Sequence, residues 1–79
     1  MKAEYLGKVK DKNGYAVHLF YKYRGHEYMI TDEHNGYSES MNEKHKAEQD
    51  RIDNLFEMKE KKNDSSFNMD EIFEILGWD

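Results

Sequence analysis

Apolar and aromatic residues alternate with polar residues through the first half of the chain, as they do in strands that bury one face. The cleanest run covers residues 15–24 and places on one face Tyr15, Val17, Leu19, Tyr21 and Tyr23. A shorter run lies on either side of it, and turn signals at Asn13-Gly14 and Arg24-Gly25 separate the three. The pattern predicts a three-stranded antiparallel meander over about residues 3–34.

The two faces of this predicted sheet differ in chemistry. The second strand is the most apolar, so we expect it to be central, with the face of Leu19 and Tyr21 packed under helices. Phe20 then lies on the opposite face among His18, Lys22 and Arg24. In the first strand, alternation separates Leu6, Lys8 and Lys10 from Tyr5, Gly7 and Val9.

Apolar residues take up helical spacing in the second half of the chain. Ser40 precedes Glu43 by three residues, which is the spacing of a capping box. This predicts a helix over about residues 41–61, with cations in its last turn that suit the helix dipole. The polar segment 63–66 is expected to be a linker.

A second helix is predicted over about residues 68–76. Asn68 would cap it, with Glu71 in the reciprocal position, and Gly77 would end it in the left-handed conformation. The sequence therefore predicts an α+β fold in the order β-β-β-α-α, forming a single domain over residues 1–79. We expect the helices to cover one sheet face, although the pattern does not fix whether both lie on the same side.

Composition narrows the class of protein. Cysteine is absent, which excludes disulfides and cysteine-based zinc sites and favours a reducing cytoplasm. No apolar run approaches the roughly 18–20 residues that cross a bilayer, so no membrane contact is expected. The net charge is −5 and the pI is about 5.3, which disfavours a general affinity for nucleic acid.

The residues that could support catalysis or bind a metal form no recognised motif. His26-Glu27 begins like a zinc-protease helix, but Ile30 stands where the second histidine would be. The adjacent Asp32, Glu33 and His34 are accounted for as a polar turn, with a weak divalent-cation site as the alternative. We therefore expect no enzyme activity, no cofactor and no metal site.

Charge is divided along the chain. Residues 1–37 carry six Lys and Arg against five Asp and Glu, whereas residues 38–79 carry six against twelve. The segment 64–79 has five acids and no base. Such a segment can complement a basic groove on another protein, and charge of this kind steers association. The residues predicted to contact a partner are Asp70, Glu71, Glu74, Trp78 and Asp79.

Two alternatives remain open at this point. Aromatic and cationic residues on a sheet can stack bases and neutralise phosphates, and the candidates for direct nucleic-acid binding are Lys8, Lys10, Phe20, Lys22 and Arg24. Ordinary cross-strand packing and a solvated cationic face account for the same residues. The polar stretch of the first predicted helix could instead mediate self-association, so the oligomeric state is undetermined.

The segment His45-Lys46-Ala47-Glu48-Gln49-Asp50-Arg51-Ile52-Asp53, after a tyrosine-rich meander, resembles small acidic proteins of Gram-positive phages and mobile elements. In size, acidity and lack of cysteine the chain is similar to the anti-CRISPR proteins of such elements. The resemblance implies a cytoplasmic inhibitor in a bacterial host, which would occupy a basic nucleic-acid-binding groove on a CRISPR-Cas nuclease with carboxylates in place of phosphates. The element order also resembles three-stranded DNA-binding domains of some integrases, which supports the sheet-based alternative.

Overall fold

The computed structural model describes residues 2–33 and 37–77, with the side chains of residues 37–40 and 42 left out. Its strands and helices, in chain order, are β1 (Glu4–Lys10), β2 (Val17–Tyr23), β3 (His26–Asp32), α1 (Tyr37–Ala47), α2 (Gln49–Lys61), β4 (Ser66–Asn68) and α3 (Met69–Leu76). The predicted α+β class is confirmed, and so is the sequence of three strands followed by helices.

The sheet has four strands in the order β1-β2-β3-β4. The first three form the predicted antiparallel meander, and β4 pairs parallel to β3 with Phe67 opposite Ile30. This fourth strand was not predicted, because its three residues are too few to show alternation and lie partly in the expected linker. It makes the sheet mixed and fixes the start of α3 beside β3.

The core lies between the helices and one face of the sheet. Along β2 the residues alternate as predicted, so that Leu19 and Tyr21 are fully buried while Lys22 is exposed. Phe56 of α2 lies at the centre, with its ring centroid 5.2 Å from that of Tyr21 and 5.2 Å from that of Tyr28. Tyr15, predicted on the same face, precedes the strand and is 76% exposed.

The segment predicted as one helix over residues 41–61 forms two. The first begins at Tyr37, so Ser40 lies inside α1 and does not start it, and Glu48 interrupts the helix with φ −126° and ψ 47°. A continuous helix from residue 37 to 61 would be roughly 37 Å long. The longest dimension of the molecule is 34 Å, so the break lets both helices lie against the sheet.

A β-bulge reverses the faces predicted for the first strand. Tyr5 lies opposite Tyr21 on the helix-covered face, and the register then shifts by one residue before Gly7. Gly7 has φ +145°, a conformation that side chains disfavour, and Leu6 is the extra residue. The prediction that Tyr5 and Val9 share a face is therefore wrong, because Val9 follows the bulge and lies on the open face.

The two ends of α3 are set by the capping residues that the sequence predicts. The side chain of Asn68 accepts a hydrogen bond from the backbone N–H of Glu71 at 3.0 Å, which satisfies one of the free donors of the first turn. Gly77 ends the helix at φ 68°, and its N–H donates to the carbonyl of Phe73. Both the predicted cap and the predicted left-handed stop are confirmed.

We expect Asn68→Ala to lower the free energy of unfolding by about 1 kcal/mol, because alanine cannot accept the bond from Glu71 N–H. Urea denaturation followed by circular dichroism measures the change. Asn68→Ser is the matched control, since a serine hydroxyl also caps and should retain most of the stability. Equal losses in the two variants would show that the cap contributes little.

Candidate functional site

A buried lysine joins α2 to the C-terminal part of the chain. Lys59 is only 1% exposed, and its Nζ donates to a carboxylate oxygen of Asp64 at 3.0 Å and to one of Glu71. The same ammonium group lies 4.6 Å from the ring centroid of Phe67, within the range of a cation–π contact. Residues 64–79 contain no Lys or Arg, but two of their acids pair with Lys59 of α2 in the folded chain.

The burial of Lys59 could have been inferred from its position in the sequence, but counting charges along the chain does not show it. Lys59 follows Ile52 by seven residues, Leu55 by four and Phe56 by three, so it continues the apolar stripe of the helix. Lys59 lies in the last turn of α2 as predicted, and it is also buried there. A lysine on a buried stripe needs acidic partners, and the nearest acids outside the helix are Asp64 and Glu71.

The electrostatics of this cluster favour the charged lysine. Burial lowers the pKa of Lys59, but the hydrogen bonds and charges of Glu71 and Asp64 outweigh it, so the pKa lies above its ordinary value. Lys59 is therefore an ammonium ion at neutral pH, and it is not a candidate general base. Its function in the structure is to hold α3 and the 64–66 segment against α2.

The predicted partner-binding residues separate into three groups. Glu71 turns inward to Lys59, whereas Asp70 and Glu74 are exposed one helical turn apart on α3. Trp78 and Asp79 lie outside the described residues. Within the described chain, Asp70 and Glu74 are exposed, and Glu71 pairs with Lys59 while its side chain remains 41% exposed.

An apolar groove lies between α2 and α3. Its volume is about 270 Å³, and it is lined by Arg51, Asn54, Leu55, Met58, Ile75 and Leu76. Ile75 is 41% exposed and follows Glu74 directly in α3. We call the outward residues Asn54, Met58, Asp70, Glu74 and Ile75 the α2–α3 surface. It combines apolar area with an acidic margin, as protein interfaces commonly do.

Arg51 fixes the geometry of the groove at one end. Its guanidinium donates to a carboxylate oxygen of Glu48 at 2.6 Å and to the carbonyl oxygen of Leu76. The second contact satisfies a carbonyl at the end of α3, where a cation also suits the helix dipole. The positive charge of Arg51 is therefore engaged by groups within the chain.

The unequal distribution of charge along the sequence also separates the α2–α3 part of the fold from the antiparallel meander. Residues 48–77, which form α2, β4 and α3, carry nine Asp and Glu against four Lys and Arg. Residues 2–33, which form the antiparallel meander, carry five against six. The layer formed by α2 and α3 is therefore the negative side of the molecule, even after Lys59 has paired with two of its acids.

The cationic residues predicted for nucleic-acid binding do not share one surface. Because of the bulge, Lys8 and Lys10 lie opposite Leu19 and Val17, on the helix-covered side of the edge strand. Phe20 and Lys22 lie on the open face, and Lys22 has as cross-strand neighbours Glu4 and Glu27. Arg24 forms an ion pair with Glu60 of α2 at 3.5 Å.

Among the described residues, no three His, Cys, Asp or Glu side chains are placed to hold a metal ion. Asp32 is fully buried at the end of β3 while the adjacent Glu33 is exposed, and His34 lies outside the described residues. His18 is hydrogen-bonded through Nδ1 to the hydroxyl of Thr31 at 3.1 Å. None of the described helices is long and apolar enough to cross a membrane.

Comparison with known proteins identifies no family for this chain. No family model matches it, and neither curated proteins nor solved structures give a significant match. No functional residue is therefore transferred from a relative. The α2–α3 surface is a candidate site because of the geometry and charge of this chain alone.

We expect Lys59→Met to destabilise the protein by about 1–3 kcal/mol, because charge-assisted hydrogen bonds to two carboxylates are lost while the buried stem is retained. Urea denaturation measures the loss. Lys61→Met is the matched control, since the Lys61 side chain is 76% exposed. Its effect should stay within about 0.5 kcal/mol. A Lys59 variant as stable as the Lys61 variant would contradict the assigned role.

Proposed function

We propose that this chain is a non-enzymatic protein-binding module that contacts a basic surface of another protein through the α2–α3 surface. The observation that carries the proposal is the position of exposed Asp70 and Glu74 on the same helix as Ile75, which borders an apolar groove. Apolar area gives an interface affinity, and the carboxylates select a basic partner and speed its association.

The partner class follows from the charge of the layer that carries this surface. A layer with nine acids and four bases repels nucleic acid and attracts the cationic grooves that bind it. The proposed partner is therefore a nucleic-acid-handling protein of a bacterial host, such as a CRISPR-Cas nuclease. In this proposal the chain is an inhibitor encoded by a phage or mobile element that acts in the host cytoplasm.

The Lys59 cluster has a definite role in this proposal. Binding through two carboxylates on an eight-residue helix requires that the helix be fixed before the partner arrives, because ordering it on binding would reduce affinity. Lys59 holds α3 through Glu71, while Asp70 and Glu74 remain exposed on the same helix. An inward acid therefore fixes the helix that presents the two outward acids.

The test is inhibition of target-DNA cleavage by a panel of purified CRISPR-Cas nucleases of Gram-positive hosts. We expect the wild-type chain to inhibit at least one of them, and the Asp70→Lys/Glu74→Lys variant to inhibit it at least about 100-fold more weakly, since it places like charges against a basic groove. Thermal unfolding of both proteins establishes that the fold is unchanged.

A matched control separates local charge from total charge. Glu4→Lys/Glu27→Lys changes the net charge by the same amount but acts on the open face of the sheet. This variant should inhibit like the wild type. Loss of inhibition in both double variants would assign the effect to net charge, and absence of inhibition across the panel would contradict the proposed partner class.

Direct nucleic-acid binding by the sheet has less support, because its candidate residues on the strands lie on two different faces. The remaining candidate, Arg24, forms an ion pair with Glu60. We expect no binding of a fluorescent DNA duplex at micromolar protein in low salt, where phosphate contacts are strongest. Anisotropy titrations measure this. Micromolar affinity that falls steeply with added salt and is abolished by Lys22→Glu would favour the sheet-based alternative instead.

A further inference from the structure

An unusual pair of polar side chains lies where α1 meets the sheet. The ring of His45 is 9% exposed and packs against the fully buried ring of Tyr21, with the centroids 5.3 Å apart and the planes tilted by 55°. Nε2 of His45 and the hydroxyl of Tyr21 are both buried, and neither has a hydrogen-bond partner among the described residues. Such groups are costly to bury, and histidine is the side chain that gains a proton just below neutral pH.

His45 is one of few attachments that α1 makes. Among the side chains of α1 that are described, only Met41 and His45 are buried. Glu43, Lys46 and Ala47 are exposed, and Lys44 is half-buried. Of the side chains of α1 that are described, these two therefore provide the buried contacts.

The helical path is irregular where α1 meets α2, although backbone hydrogen bonds from Glu48 N–H to the Lys44 carbonyl and from Ile52 N–H to the Glu48 carbonyl continue across it. Glu48 lies outside both helices, with φ −126° and ψ 47°, and it separates them by a single residue. On the far side of this residue α2 is anchored independently by four buried side chains, Ile52, Leu55, Phe56 and Lys59. Among the described side chains, fewer are buried on α1 than on α2, and the two helices meet at Glu48.

The charged and titratable groups around His45 only partly favour an imidazolium. Asp53 faces it from α2 and Tyr21 from β2, and the ring of Tyr5 of β1 packs at a tilt against Tyr21. Its neighbours on α1 are Lys44 and Lys46. The carboxylate of Asp53 already accepts from the N–H of Ala3 at 2.6 Å and from Nε2 of Gln49 at 2.8 Å. It is therefore shared among several donors.

Burial lowers the pKa of His45, and attraction to Asp53 with a hydrogen bond to the backbone of Ala3 offsets this only in part. The docked helix thus binds a proton less readily than the released helix. The contribution of His45 to docking is complete above its ordinary pKa of 6.5 and is lost as the pH falls through the lower pKa of the docked state.

We propose that docking of α1 is an acid-sensitive switch, in which protonation of His45 releases the helix about Glu48 and uncovers Tyr21 and the site of Met41. The contacts of Lys59 with Asp64, Glu71 and Phe67 lie outside α1, so we expect α2, β4 and α3 to stay assembled. The switch is independent of the proposed protein-binding function and would operate in this chain whatever its partner.

Hydrogen exchange of the wild-type protein, measured by NMR between about pH 5 and about pH 7.5, tests the switch. After correction for the intrinsic rate, the opening constant of α1 should rise by up to roughly tenfold per pH unit below about 6.5, while that of α2 changes much less. Titration of the His45 ring protons should give a pKa below the ordinary histidine value of 6.5. Equal protection of α1 at all pH values would overturn the proposal.

Two variants at the same position sharpen the test. His45→Phe keeps an aromatic ring against Tyr21 without a titrating group, so α1 should remain protected at low pH. His45→Lys carries a permanent charge and should release α1 at neutral pH. His26→Gln is the control and should behave like the wild type. A pH response in His45→Phe as large as that of the wild type would also overturn the proposal.

Discussion

The fold of the C-terminal half depends on one buried cation. Lys59 lies on the apolar stripe of α2, and its ammonium group meets Asp64, Glu71 and the ring of Phe67. Asp64 precedes β4, Phe67 lies in β4 and Glu71 lies in α3, so a single side chain of α2 contacts each of the three parts that follow it. Because a buried ammonium without acidic partners is costly, the contact also discriminates against arrangements in which α3 docks elsewhere.

The same helix connects the remaining parts of the chain. Asp53 accepts the backbone N–H of Ala3 before β1, Arg51 donates to the carbonyl of Leu76 at the end of α3, and Glu60 pairs with Arg24 in the turn between β2 and β3. Polar contacts from α2 thus reach both ends of the described chain and its central hairpin. The acid switch proposed for His45 concerns α1, which precedes this helix in the chain.

The sequence predicts the features that neighbouring residues determine, and it does not predict those that depend on contacts between distant parts of the chain. Alternation around Tyr21 and the cap at Asn68 are properties of neighbouring residues, and the structure reproduces them. The helical periodicity of the sequence does not show the break at Glu48, because Met41 and His45 lie in phase with the buried stripe of α2. The bulge and β4 depend on pairing with other strands. The charge pattern along residues 64–79 does not show that Glu71 is paired, because its partner Lys59 lies twelve residues away on another helix.

The central claim is that Lys59 and Glu71 act as a pair that fixes α3. A double-mutant cycle measures this directly, with Lys59→Met, Glu71→Gln and the double variant compared with the wild type in urea denaturation. The account predicts a coupling energy of about 1–2 kcal/mol, so that the second substitution costs much less once the first has been made. Additive effects, with a coupling energy below about 0.3 kcal/mol, would contradict it.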